Sequence, residues 1–409
     1  MENVAHTLAG LLLAEAAIVS RRAAADPARA RFSKLAYGVS AVANNLPDAD
    51  QVYTSVTGGK LGYLLHHRGH THTLPIGIAL GLLVAWVAIG FARRRSPLQV
   101  GDAPWLIGLG AMGAVVHMTM DAWNVYGVHP FWPVYDGWIY GDAVFIVEPL
   151  FWLLAMPALF FAARRRWWKI TLACLFVAIV AVSWIAASFV PLPVRVGLTV
   201  VAALSVLVAR QLGPRTRPVF GLAGFAVVVL GFLSASHRAR SLALEGTRGG
   251  EALRTLDLAL SPFPANPFCF TGQLVQVEGS AELVVTRLTV APFASLFPAA
   301  RCPATDDSAT APLVRSGFAD SRALQFHDAF RGSVPRLREL ARDHCEVAAA
   351  LEFIRVPYWL DEPDSLIVGD LRFDRSTGLD FADLELARVP ASCPRFVPGW
   401  TPPRSDLLR

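Results

Sequence analysis

His66-His67-Arg68-Gly69-His70-Thr71-His72-Thr73 leads directly into the apolar run Leu74–Phe91, which closes on Arg93-Arg94-Arg95. A helix needs roughly 20 mostly apolar residues to cross the hydrocarbon core of a bilayer, and this run comes close to that length. Titratable residues crowd one of its ends and arginines the other. The same polarity recurs in both directions along the chain.

Further apolar runs are Trp105–Met120, Ala143–Ala163, Ile170–Val190 and Val219–Ser234, with Val194–Ala209 slightly short. Two weaker ones, Val4–Val19 and Leu35–Leu46, come first. Val4–Val19 has no basic segment before it and is followed by Arg21-Arg22, so it reads as a retained helix and not a cleaved signal. The chain is 54% hydrophobic and 17% charged, where soluble domains carry about 25% charged residues. The expected fold is a polytopic α-helical membrane protein of about eight spans or membrane-embedded helices. A mixed, β-rich extramembrane domain follows at the C-terminus. Residues 1–160 are read as the domain that carries the chemistry, 161–235 as additional transmembrane helices and 236–409 as the extracytoplasmic domain.

The net charge of +5 does not point to nucleic acid, because the arginines lie in short connections between apolar runs. Arg21 to Lys34, Arg93–Arg95, Arg164–Lys169 and Arg210–Arg217 form the basic connections. If all four are cytoplasmic, both termini and the C-terminal domain lie outside.

The unusual polar residues then fall on the opposite face. His6 opens the first run, and Asp48 and Asp50 close the second. The 66–72 histidines precede the third run, and His117 and Asp121 end the fourth, with Asn124 and His129 just beyond. Asp142 and Glu148 begin the fifth. His117 and Asp121 are four apart, on one helical face. Imidazole with carboxylate suits zinc, or manganese or iron. The expected metal ligands are His6, Asp50, His67, His72, His117, Asp121, Asp142 and Glu148, with Asp48, Arg68 and Asn124 in catalytic roles. Asp48-x-Asp50 can share one face, one carboxylate ligating while the other orients a histidine. Arg68 can hold an anionic substrate group. Trp123, Trp132, Trp138 and Tyr140 read as an interfacial aromatic belt.

His6-Thr7, Pro47-Asp48-x-Asp50, His67-Arg68-Gly69-x-Thr71-His72-Thr73, His117-x-x-x-Asp121 and Gly127-x-x-Pro130 occur in that order. Over residues 1–160 this pattern resembles the inner-membrane metal-dependent hydrolase family typified by the YdjM protein. More distantly, it is similar to the zinc-dependent phospholipase C and P1 nuclease group, whose trinuclear zinc site cleaves phosphate esters. That resemblance implies Asp50, a histidine of the 67–72 loop, His117 and Asp121 as ligands. The group's remaining ligands have no unambiguous match after Asp121; His129, Asp142 and Glu148 are the nearby candidates. Those enzymes are soluble or secreted, which this chain is not expected to be.

After about residue 236 no run is long enough to span. Strand patterns appear at 274–277, 282–289, 367–373 and 382–388, and Pro335–Leu351 reads as a helix with Ser333 as its N-cap. Cys269, Cys302, Cys345 and Cys393 fit two disulfides in any of three connectivities, while Cys174 is intramembrane. His327 and His344 read as surface residues.

The expected activity is metal-dependent hydrolysis at the outer face, of a small-molecule or lipid-linked phosphoester, with membrane lipids as surroundings and no nucleic-acid partner. A transporter that moves a cation through the same ligands is the alternative, as is a non-enzymatic membrane protein. Transport sites tend towards the bilayer midplane, whereas these residues sit at helix ends. The topology has a direct test. A reporter active only outside the cytoplasm, fused after Arg409, should be active, and silence from a well-expressed fusion would overturn the orientation.

Overall fold

The computed structural model describes all residues except 22–25, 55, 58, 96–97, 248–252, 305–308, 364 and 390–391. The N-terminal part is helical: α1 (Asn3–Ser20), α2 (Asp26–Ala43), α3 (Gln51–Thr54), α4 (Gly59–His66), α5 (Leu74–Arg95), α6 (Asp102–Ala122), α7 (Pro149–Ala162), α8 (Arg166–Ile185), α9 (Leu192–Gln211) and α10 (Thr216–Gly246). Six of these, α1, α5, α6, α8, α9 and α10, are long and apolar enough to cross a membrane. The two other sizeable helices explain the difference from about eight. Arg29, Arg31 and Lys34 load the first half of α2 with charge, and α7 is apolar but only 14 residues long.

Close helix packing depends on small residues. A Cβ on Gly81 of α5 would lie 2.1 Å from the carbonyl oxygen of Gly110 on α6, so these two backbones meet only as glycines. On the same helix, a Cβ on Gly113 would lie 2.7 Å from the Cβ of Ala43 and 3.0 Å from Asn44 Nδ2. That approach sets the end of α2 against the face of α6 that carries His117.

The C-terminal part is sheet-rich. Strands β1 (Leu253–Phe263), β2 (Asn266–Glu278), β3 (Glu282–Val290), β4 (Leu313–Arg315) and β5 (Leu324–Ser333) form an antiparallel sheet ordered β1-β2-β3-β5-β4. A second antiparallel sheet joins β6 (Pro357–Asp361), β7 (Ser365–Asp370) and β8 (Leu384–Ala387). Helices α11 (Val334–Asp343) and α12 (Cys345–Ala350) lie between the sheets in sequence. Ser333 caps α11 by accepting from Arg336 N–H, as its position suggests. The single helix expected over 335–351 is broken at His344, whose backbone is extended. Its imidazole is buried with Nε2 2.8 Å from the Ala387 carbonyl, which corrects the surface assignment. His327 is half-buried, its Nε2 2.9 Å from Thr289 Oγ1. The disulfides are Cys269–Cys302 and Cys345–Cys393.

Two apolar cores fasten the sheets to the helices. At 31 residues, α10 outruns the hydrocarbon core. Its Phe232, Ala235, Ala239 and Ala243 share a core with Leu258, Leu260, Phe270 and Leu288 of the first sheet. On the other side Leu61, Leu64 and Leu65 of α4, with Tyr126, join a core with Val275, Phe330, Leu337 and Tyr358. The aromatic residues of the α6–α7 loop serve this junction more than a lipid belt. Trp138 packs on Phe353 at 5.8 Å and donates from Nε1 to the Glu352 carbonyl at 3.1 Å.

Buried charge completes the junction. The Arg355 guanidinium donates to both Asp142 oxygens at 2.8 and 2.9 Å and to Asp257 at 2.8 Å, above the ring of Tyr140 at 3.9 Å. Removing one partner of such a pair strands the other's charge, at a cost of about 3–5 kcal/mol. Arg355→Ala should therefore lower unfolding stability of the detergent-solubilised protein by roughly that amount. A change below about 0.5 kcal/mol, the size of an ordinary surface substitution, would show that the pair does not hold the two parts together.

Candidate metal centre

Four side chains from three segments converge: Asp48 on a 3-10 turn (Leu46–Asp50), His72 on a second (His70–His72), and His117 and Asp121 on α6. Each is buried, and one ligand atom from each lies within 4.8 Å of the others. His72 Nε2 lies 3.1 Å from His117 Nε2, 3.3 Å from Asp48 Oδ1 and 3.4 Å from Asp121 Oδ2. His117 Nε2 lies 3.6 Å from Asp48 Oδ1 and 3.4 Å from Asp121 Oδ2. Zinc bonds of about 2.0–2.1 Å give a tetrahedron with edges of about 3.4 Å. The five distances that involve a histidine nitrogen, 3.1–3.6 Å, are close to that edge length.

What lies behind each ligand atom supports that reading. His117 Nδ1 is 2.7 Å from the Asn44 carbonyl, which can only accept, so Nδ1 carries the proton and the Nε2 lone pair faces inward. His72 Nδ1 lies 3.2 Å from Asp50 Oδ2, with the same consequence. Asp121 Oδ1 accepts from Arg68 Nη2 at 3.0 Å and contacts the Met1 amino group, leaving Oδ2 buried without a hydrogen bond. The four ligand atoms face one another across a common point. The cluster could hold a metal ion.

The two aspartates divide their work, one facing the centre and the other orienting a histidine. Asp48 faces the centre. Asp50 supports from behind, accepting from Arg68 N–H at 3.0 Å and Thr71 Oγ1 at 2.9 Å, with His67 Nδ1 at 3.0 Å. Asp48, Asp50 and His67 also form a ligand-spaced group, so a second ion has candidate donors there. His6 stacks on His117 at 3.9 Å with Nε2 3.3 Å from Asp121 Oδ1, yet neither ring nitrogen is hydrogen-bonded.

Arg68 adopts a positive φ of 60°, which turns its side chain beneath the centre. It reaches Asp121, donates to Asn124 Oδ1 at 3.0 Å and lies 4.5 Å over the Tyr126 ring. Its Nε and Asn124 Nδ2 are buried donors without partners.

Asp142 and Glu148 are not brought to the centre. Asp142 is taken by Arg355 and by Arg240 at 2.8 Å. Glu148 caps α7, accepting from Leu150 N–H at 3.0 Å and Ala265 N–H at 3.1 Å. His129 is wedged between Trp138 and Trp400, with ring centroids at 3.8 and 4.1 Å. His70 packs beside Trp132 and Trp400 at 5.0 and 4.8 Å. Sequence reasoning missed the Asn44 carbonyl, Thr71 and Tyr126. A backbone carbonyl leaves no signal in residue identity, whereas Thr71 stands within the histidine motif.

Residues 1–190 match the family described as YdjM inner membrane protein. The chain is 24% identical over 159 residues to the uncharacterized protein YfhP of Bacillus subtilis (strain 168), covering 39% of this chain and 45% of that protein. It thus spans less than half the length of that relative. No solved structure matches.

The electrostatics predict how an ion would compete. Burial opposes protonation of His72, but Asp121, Asp48 and Asp50 outweigh it and push its pKa up to about 10. Burial raises Asp48 and Asp50, but His117 and His72 pull Asp48 well below the usual carboxylate range, and His67 and His72 pull Asp50 down to about 2. Without metal, His72 therefore keeps its proton at neutral pH, and an ion must expel it. Apparent zinc affinity should rise about tenfold per pH unit, roughly 100-fold from pH 6 to pH 8. A flat affinity profile by competition titration would overturn His72 as a ligand.

Proposed function

We propose that this chain is a membrane-embedded, metal-dependent hydrolase that cleaves a phosphoester, small or lipid-linked, at the outer membrane face, with zinc as the favoured ion. The observation that carries the reading is the spacing of 3.1–3.6 Å between His72 Nε2 and His117 Nε2 and from each of them to Asp48 Oδ1 and Asp121 Oδ2. A divalent ion in such a site supplies a nucleophile from water near neutral pH and polarises the ester oxygen.

The chain's own residues supply the rest. Arg68 Nε and Asn124 Nδ2 are unpartnered donors beside the centre, placed to receive the non-bridging oxygens of a phosphoryl group. Leaving such donors buried and unmet costs about 1–3 kcal/mol each, which an anionic substrate offsets. His6 has both ring nitrogens free beside Asp121, so it can take and return a proton. Asp50 and the Asn44 carbonyl hold the two facing imidazoles in the tautomer that leaves Nε2 free. The location at helix ends favours hydrolysis over cation transport, whose sites tend towards the midplane.

The test uses purified protein, metal analysis and a panel of chromogenic and lipid phosphoesters. His117→Ala and Asp121→Ala should lose metal and at least about 100-fold in activity, with expression retained. Arg68→Ala or Asn124→Ala should lose less, about 10–100-fold, with metal kept. Met118→Leu, on another face of α6, should change neither. Stoichiometric metal with no turnover on any phosphoester would overturn the hydrolase reading and leave the metal site standing.

A further inference from the structure

At the end of α1 opposite the metal centre, a cavity of about 440 Å³ opens between the C-terminus of α1, the start of α2 and the α9–α10 turn. The polarity is fixed by α1 itself, with His6 at the metal end and Val19 and Arg21 at this one. Arg21, Arg29 and Arg215 line the cavity, and among the described residues no carboxylate does. Arg21 is held by Asp102 at 2.6 Å and lies 4.7 Å over the Phe32 ring. Among the described residues, Arg29 and Arg215 make no ion pair. Three guanidinium groups around one space, with Asp102 their one acidic partner among the described residues, repel each other unless an anion joins them.

We propose that this cavity binds the headgroup of an anionic phospholipid, with Arg29 and Arg215 gripping its phosphate. Guanidinium forks match phosphate oxygens, and basic clefts at helix ends are suited to anionic headgroups. A lipid is favoured over free phosphate by what adjoins the cavity. Leu204 and Leu207 of α9 and Val219 of α10 are 53, 53 and 58% exposed, on helices long and apolar enough to span. The wall beside the headgroup site thus continues into surface that meets acyl chains. Binding here would tie α1, which carries His6, to α10, which carries the sheet domain.

The experiment is native mass spectrometry of the full chain in detergent, titrated with phosphatidylglycerol, phosphatidylcholine or inorganic phosphate. The intact protein should retain phosphatidylglycerol and not phosphatidylcholine. Each arginine near a headgroup contributes about 1 kcal/mol, so Arg29→Ala/Arg215→Ala should weaken phosphatidylglycerol binding roughly 30-fold. Arg94→Ala/Arg95→Ala removes equal charge from the same face outside the cavity and should stay within about twofold of the parent. Should the alanine variant fail to fold, Arg29→Lys/Arg215→Lys keeps charge without the fork and should show an intermediate loss. Equal weakening by the two alanine pairs, or an unweakened lysine variant, would mean diffuse charge and overturn the site. Inorganic phosphate binding as tightly as the lipid would overturn the lipid as occupant.

Discussion

Three carboxylates, Asp48, Asp50 and Asp121, are buried within one small volume, and the surrounding structure is arranged to compensate their charge. An isolated buried carboxylate is costly enough that it must be paired, hydrogen-bonded, protonated or bound to metal. Asp50 is met by a backbone N–H, a threonine and two imidazoles, and one oxygen of Asp121 is met by Arg68. Asp48 and the second oxygen of Asp121 remain, facing two imidazole nitrogens. Arg68 and the Met1 amino group meet Asp121 on one side, and the two imidazoles face the remaining oxygens at a shared point that could hold a metal ion.

That requirement shapes the neighbourhood. Glycine at position 113 lets the end of α2 close on α6, and the closure puts the Asn44 carbonyl against His117. Arg68 accepts an unfavourable backbone angle to bring its guanidinium beneath Asp121. The sheet domain then packs on α4 and the α6–α7 loop, the two segments that flank the histidine turn and Asp121.

Much of this was legible in the sequence. Apolar runs ending in arginine revealed the membrane helices, because span length and loop charge are properties of composition. The convergence of Asp48, His72, His117 and Asp121 followed from placing each at the same end of its run. Asp142 and Glu148 shared that end but went elsewhere, since their partners Arg355 and Ala265 lie more than a hundred residues away. The choice between Asp48 and Asp50 as the inward carboxylate was likewise hidden, because it turns on a 3-10 turn that points the two side chains to different partners. Strands β1, β4, β5 and β6 escaped notice because their pairing, not their local alternation, defines them.

The order of these parts along the chain has a consequence for biogenesis. Every residue facing the centre lies within the first 121, while Arg355, which clamps the domain over the α6–α7 loop, is made more than two hundred residues later. At about 5–20 residues per second, that interval is on the order of 10–50 s. During it, the helices can gather their polar ends before any roof exists. The clustered side chains are therefore accessible during that interval, before the domain that covers them is made.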